Sequence, residues 1–111
     1  MSTTITMPQI YNPLKDYGYT PITTFWEDFT IAEAFGLDAI DDTYQRAFNE
    51  WHSNYKMMTE LVMVLNNKIW QYHFYNEDKA RVYNDLYTTL AAWCEDNFTS
   101  DQLDYYYTTT D

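Results

Sequence analysis

A stretch of forty residues, 37–76, contains neither glycine nor proline, the two residues that most often interrupt helices. Within it, apolar side chains recur at steps of three and four residues, which places them on one face of a helix. A single helix of this length would be unusually long for a globular protein, so a break is expected. It is favoured at His52-Ser53-Asn54, where serine and asparagine compete for backbone hydrogen bonds, with Asn66-Asn67 the weaker candidate. The stripe comprises Tyr44, Phe48, Trp51, Tyr55, Met58, Val62, Leu65, Ile69 and Tyr72.

Helix-start signals precede this stretch. Thr24 and Glu27 fit a capping box, in which a hydroxyl and a carboxylate each bind a free backbone N–H group of the first turn. Gly36 is expected to end that helix, and Asp38 to cap the next one.

Similar signals follow the stretch. Asn76 is expected to cap a helix that runs to Asp96, and Thr99 with Gln102 repeats the capping-box pattern before a short C-terminal helix. The sequence therefore predicts an all-α fold, a small bundle of four or five helices over residues 24–111.

The first 23 residues differ in character, because they hold all three prolines and one of the two glycines. They are nevertheless too apolar for a free tail. We predict an extended, irregular N-terminal arm over residues 1–23 that packs on the bundle; the alternative is an arm that docks only on a partner chain.

The central helix should be the most buried, with Val62, Leu65 and Ile69 nearly inaccessible to solvent. Its two apolar faces and the apolar arm present more apolar surface than a chain of 111 residues readily covers. A homodimer is therefore a further expectation.

The net charge excludes several classes of partner. Seventeen acidic residues against six basic ones give a formal charge of −11, which disfavours direct nucleic-acid binding and anionic membrane surfaces. No apolar run approaches the length of a membrane span, and residues 1–9 have no secretory pattern. With Cys94 as the single cysteine, no disulfide within the chain is possible. We expect a cytoplasmic protein.

The residues that usually carry chemistry show no catalytic or metal-binding pattern. His52 and His73 stand twenty-one residues apart and form no ligand pair at helical spacing. No glutamate is followed by histidine at the third position, as di-metal bundles require, and residues 38–42 lack the glycine and distal glutamate of a calcium loop. Cys94 is expected to be a buried, unreactive thiol. The sequence predicts no metal, no cofactor and no enzyme activity.

Acidic residues are concentrated on either side of the central helix. Residues 26–50 hold seven acids and one base, and residues 76–111 hold eight acids and two bases. Trp26 and Trp70 lie off the buried stripes, and three consecutive tyrosines from Tyr105 cannot all face inward; exposed rings of this kind favour interfaces. The candidate interaction residues are Glu27, Asp28, Glu33, Asp38, Asp41 and Asp42, a second patch of Asp101, Asp104 and Tyr105, and the rings Trp26 and Trp70.

Four stretches carry a resemblance: residues 21–29 (PITTFWEDF), 47–51 (AFNEW), 59–70 (TELVMVLNNKIW) and 109–111 (TTD). Together they resemble small acidic helical proteins of unknown function from mobile elements and phages of gut Bacteroidetes. The resemblance covers most of residues 21–111 and includes no catalytic motif. It implies an accessory protein of a mobile element.

Two functions remain open at this point. The first is a non-catalytic interaction module with a basic protein partner. In one version of it the protein mimics nucleic acid, and its carboxylates take the place of phosphates. The simpler interpretation of the acidic surface is that its charge only maintains solubility. The alternative is a small-molecule-binding or catalytic bundle with an aromatic pocket near His52 or His73.

Overall fold

The computed structural model describes the chain from residue 21 to residue 110, with side chains from residue 25. This part of the chain folds into five α-helices without a β-strand, which confirms the predicted all-α bundle. Most of the predicted N-terminal arm, up to residue 20, lies outside the described residues. The helices are α1 (Pro21–Glu33), α2 (Leu37–Trp51), α3 (Tyr55–Tyr72), α4 (Glu77–Asn97) and α5 (Ser100–Thr110).

The predicted break in the long apolar stretch is confirmed. α2 ends at Trp51 and α3 begins at Tyr55. Between them Asn54 has an extended backbone, and its side-chain oxygen accepts a hydrogen bond from the backbone N–H of Met57 at 3.2 Å. This side chain satisfies a donor that the first turn of α3 leaves free. The weaker candidate, Asn66-Asn67, lies inside α3 and does not interrupt it.

The two C-terminal helices begin at the predicted caps. The Asn76 side chain accepts a hydrogen bond from the backbone N–H of Lys79 at 3.1 Å. Thr99 and Gln102 bond reciprocally: the N–H of Thr99 donates to the Gln102 side chain at 3.0 Å, and the N–H of Gln102 donates to the Thr99 hydroxyl at 3.3 Å. The capping box at α5 is therefore present in full.

The starts of α1 and α2 differ from the prediction. α1 begins at Pro21, where the missing N–H of proline leaves no helical hydrogen bond unmade, so Thr24 lies inside the helix and not at its cap. Gly36 is the residue before α2, and its φ of 120° favours glycine. Because glycine has no side chain, the start of α2 has no side-chain capping hydrogen bond from this position. Asp38 lies in the first turn of α2, near the positive end of the helix dipole. The prediction that Asp38 caps α2 is wrong.

α3 is the central helix and contacts each of the other four. Val62 and Leu65 are buried, as predicted. Ile69 is only half-buried, so that part of the prediction is wrong. Lys68 occupies the inward position beside it, and its side chain is fully buried. A charged residue in the centre of the bundle needs partners on the helices that pack around it.

Candidate functional site

A groove of about 680 Å³ lies between α1 and α2 and combines apolar with acidic side chains. Ile31 and Phe35 contribute exposed apolar surface, because Phe25 and Phe29 already occupy the inward face of α1. Phe35 is 79% exposed. We call this site the acidic groove; its walls comprise Asp28, Ile31, Ala32, Phe35, Ala39, Asp42, Thr43, Gln45, Arg46 and Asn49.

The carboxylates on α2 beside this groove form no ion pair with a base among residues 25–110. Asp38, Asp41 and Asp42 are exposed, and none of them takes part in the ion pairs found among residues 25–110. The base within the groove, Arg46, donates a hydrogen bond to the hydroxyl of Thr43 at 3.1 Å. The outer face of α2 therefore presents negative charge that is left for a partner or for solvent.

Asp28 lies inside the groove, where burial is the largest influence on its carboxyl group. Burial raises the pKa of the Asp28 carboxyl above its ordinary value, the positive charge of Arg46 opposes that shift, and the carboxylates of Glu27 and Glu50 add to it. Asp28 thus combines partial burial with charged neighbours of both signs, the base Arg46 and the acids Glu27 and Glu50.

Glu33 and Trp26, two of the predicted interaction residues, do not belong to the exposed surface. The Glu33 side chain is 6% exposed, and its Oε2 lies 3.1 Å from Nζ of Lys68. Trp26 is half-buried, with the same Nζ 3.9 Å from its ring centroid. The sequence holds a signal for this, because Glu33 follows the buried Phe29 by one helical turn. A carboxylate on an apolar stripe indicates an interior partner.

The buried cluster around Lys68 is closed to ligands. Lys68 donates to the Thr30 hydroxyl at 2.8 Å, and Glu33 accepts hydrogen bonds from the hydroxyls of Tyr72, at Oε1, and Tyr83, at Oε2. Burial lowers the pKa of the Lys68 ammonium, and Glu33 opposes that shift. Burial and the bond to Glu33 raise the pKa of Tyr72 to about 12. These groups are directed at one another, so the cluster joins α1, α3 and α4.

The second predicted patch, on α5, is only partly exposed. Asp101 and Asp104 face solvent, whereas Tyr105 is half-buried. The Tyr105 and Tyr55 rings pack edge to face with their centroids 5.3 Å apart. Nζ of Lys56 lies 5.6 Å from the centroid of the Tyr105 ring. The carboxylates of this patch are therefore accessible to a partner, whereas the Tyr105 ring packs largely against other residues of the same chain.

A larger groove, of about 830 Å³, lies where α3 gives way to α4. Trp70, Phe74 and Tyr75 are 64%, 81% and 86% exposed, and the His73 ring lies 5.4 Å from Trp70 and 4.5 Å from Phe74. Trp70 was predicted from its position off the stripe; Phe74 and Tyr75 follow the end of the helix, where spacing no longer assigns a face. We call this the aromatic groove, lined by Asn66, Ile69, Trp70, His73, Phe74, Tyr75, Asn76, Glu77, Ala80, Arg81, Asn84 and Tyr87.

The two histidines lie in different surroundings. His73 belongs to the aromatic groove. His52 is exposed at the end of α2, where its Nδ1 lies 3.2 Å from the carbonyl oxygen of Phe48 and its ring stacks on the Phe48 ring. Of the two positions proposed for a pocket, the structure shows a sizeable groove at His73.

The side chains of residues 25–110 do not assemble three potential ligands of the His, Cys, Asp or Glu type around a point where a metal ion could bind. Cys94 is buried, as predicted, and burial raises the pKa of its thiol to about 12, which leaves little thiolate at neutral pH. None of the helices in residues 21–110 is both long and apolar enough to cross a lipid bilayer.

Comparison of the chain with protein-family models, curated proteins and solved structures finds no match to any of them. The resemblance to proteins of mobile elements and phages therefore stays a prediction.

Proposed function

We propose that this protein is a non-catalytic interaction module that binds a basic protein partner. The observation that carries the proposal is the acidic groove, in which the exposed side chains of Ile31 and Phe35 lie beside α2 carboxylates that form no ion pair within the described part of the chain. Complementary charge accelerates encounter and fixes orientation. Apolar side chains at the centre of a contact supply most of the affinity.

The proposed setting is a mobile element or phage, whose accessory protein would act on a basic host protein in the cytoplasm. In the sharper version the partner is a nucleic-acid-binding protein, and the acidic helices take the place of duplex phosphates, which present one charge per about 1.7 Å of axis. This version has its own test, because duplex DNA would then compete with the chain for the partner.

Affinity capture from the native host tests the proposal when two charge-matched variants are compared. The test variant replaces Asp38, Asp41 and Asp42 with Asn, which removes three charges beside the acidic groove. We expect the wild-type chain to retain a basic protein that salt elutes. The association rate of that protein with the test variant should fall more than its dissociation rate rises.

The control variant removes the same charge elsewhere, by replacing Asp78, Asp85 and Asp96 with Asn; all three are exposed on α4, and Asp78, like Asp38, lies in the first turn of its helix. We expect it to associate faster than the test variant. Equal rates for both variants would mean that net charge alone acts. Direct binding of DNA by the purified chain at about 0.15 M salt would contradict the proposed partner class.

The aromatic groove favours a second candidate function, the binding of a small molecule. Its volume of about 830 Å³ lies within the range of ligand sites, and rings and amide groups converge on it around His73. Arg81, on its wall, is already engaged by Glu77 at 3.0 Å and Asp78 at 3.9 Å. The local charges are thus largely balanced, which suits a neutral, ring-containing molecule.

Native mass spectrometry of the chain purified from its host tests this second function. We expect an adduct of defined mass that is retained by wild type and lost when Trp70 is replaced with Ala. The Phe35→Ala variant is the matched control, because it removes an exposed ring at the other groove. An adduct retained by both variants would place the ligand outside the aromatic groove.

A further inference from the structure

A second, smaller cavity adjoins the acidic groove between α1 and α2. This cavity of about 330 Å³, lined in part by Phe25, Glu50 and Trp51, shares Asp28 and Arg46 with the main groove. The two cavities therefore adjoin at these residues and together line α2 from Ala39 to Trp51; we call the pair of cavities the trough. At about 1.5 Å per helical residue this trough is ~18 Å long.

The walls of this trough determine how a partner can bind. Both walls are α-helices, whose backbone N–H and C=O groups bond within the helix, so a strand has no free edge to pair with. Affinity must come from side chains set into the trough. Exposed apolar surface at Ile31 and Phe35 favours apolar side chains of the partner. The two linings hold three acids, Asp28, Asp42 and Glu50, against one base, Arg46, so their net charge favours cations of the partner.

From this combination we propose that the acidic groove binds a basic amphipathic α-helix, which runs along the trough and packs its apolar stripe against Ile31 and Phe35. Its Lys or Arg side chains face the acids of both walls. The inference rests on the proposed function and narrows it, because it names the form of the partner segment. In helix-in-groove recognition of this kind, the bound helix contacts the groove through apolar side chains that recur at steps of three and four residues.

The test uses the complete chain and a synthetic peptide of about 18 residues, long enough to form a helix readily. Leucines at steps of three and four form one face of the peptide, and lysines form the other. A second peptide has the same composition in scrambled order, without an apolar face. Fluorescence anisotropy of labelled peptides at low and at about 0.15 M salt gives the affinities. We expect the ordered peptide to bind at least roughly tenfold more tightly than the scrambled one.

Two pairs of variants locate the contact. Phe35→Ala and Phe74→Ala each remove a ring that is about four-fifths exposed, in the acidic and the aromatic groove respectively. We expect Phe35→Ala to lower the affinity for the ordered peptide roughly tenfold, as the loss of an interface anchor does. Phe74→Ala should change that affinity less than twofold. Asp42→Asn should weaken peptide binding more than Asp85→Asn, which makes the same charge change on an exposed residue of α4.

The outcomes separate this inference from the proposed function. If both peptides bind with equal affinity and Asp42→Asn still lowers that affinity, the proposal of a basic partner stands and the proposal of a helical segment is wrong. If neither peptide binds, both proposals fail. If Phe74→Ala weakens binding as much as Phe35→Ala, the site is misplaced. If light scattering shows a dimer that Phe35→Ala dissociates, a second copy of the chain occupies the groove and the inference is overturned.

Discussion

Nζ of Lys68 lies 3.1 Å from Oε2 of Glu33 in the interior of the bundle, and the two side chains are 0% and 6% exposed. The pair joins the central helix to α1 across thirty-five positions of sequence. A buried ion pair contributes little net stability over an apolar pair of the same shape, but the loss of one partner leaves a charge without compensation. This asymmetry leads to the first prediction.

Replacing Lys68 with Met should reduce the free energy of unfolding by about 3–5 kcal/mol, because Glu33 would then be a buried carboxylate without a cation. Adding Glu33→Gln to this variant should recover part of the loss, since the amide oxygen can accept from one of the two tyrosine hydroxyls and the amide N–H can donate to the other. Urea denaturation measures both. Lys56→Met, at an exposed lysine over Tyr105, should change stability by less than about 1 kcal/mol. Equal losses for Lys68→Met and Lys56→Met would contradict the role of the pair.

The core of α3 gives a second prediction, based on two apolar residues one turn apart. Leu65 is fully buried and Ile69 is half-buried. Truncating Leu65 to Ala should cost about 2–5 kcal/mol through lost transfer energy and the cavity that remains, and Ile69→Ala should cost less than about 2 kcal/mol. Thermal denaturation ranks the two. An unchanged melting temperature for Leu65→Ala would show that the site is not packed as described.

The helix boundaries at Asn54, Asn76 and Thr99 could be predicted because their signals are local. In each case a side chain bonds a backbone N–H three residues away, so the sequence around the cap contains both partners. For α1 the capping-box pattern at Thr24 and Glu27 predicts a start that is too late in the sequence. A proline at the first helical position competes with that pattern, and the helix begins at the proline.

The interior position of Lys68 could not be predicted in the same way. Its partners lie on α1, and their identity depends on how two helices cross rather than on any local pattern. The same holds for the two grooves: their acids and rings are visible in the sequence, but which of them share a wall follows from the packing of α1 on α2 and of α3 on α4.

Cys94 gives a prediction at alkaline pH. Its thiol has an ordinary pKa of 9.0, which burial raises to about 12 in the folded protein. Above pH 9 the unfolded chain therefore loses a proton that the folded protein keeps, and stability falls as pH rises. The contribution of this one group is at most about 1.4 kcal/mol per pH unit.

The Cys94→Ala variant should remove that contribution, together with the part of the raised pKa of Tyr44 and Tyr106 that the Cys94 charge causes. We therefore expect the stability difference between wild type and variant to shrink as pH rises from about 8 to about 11. Urea denaturation at a series of pH values follows it. A difference that stays constant over this range would show that Cys94 ionises as readily in the folded protein as in the unfolded chain.

Glu60 gives the last prediction, because its carboxyl group is buried without full compensation. The residue is 3% exposed, and its Oε2 has no hydrogen-bond partner among the described residues. Burial raises the pKa of Glu60 above its ordinary 4.5. Between 4.5 and the raised value the folded protein holds a proton that the unfolded chain has lost, so this group makes stability fall as pH increases through that interval.

Replacing Glu60 with Gln removes the titrating charge and keeps the size of the side chain. We expect the variant to be more stable than wild type at neutral pH, by about 1–2 kcal/mol. The advantage should diminish as pH falls towards 4.5, where the wild-type carboxyl is protonated in the folded protein. The control Glu50→Gln, at an exposed carboxylate, should change stability by no more than about 0.5 kcal/mol. A Glu60→Gln variant that is less stable than wild type at neutral pH would mean that the carboxylate is compensated by a partner, and that its charge supports the fold.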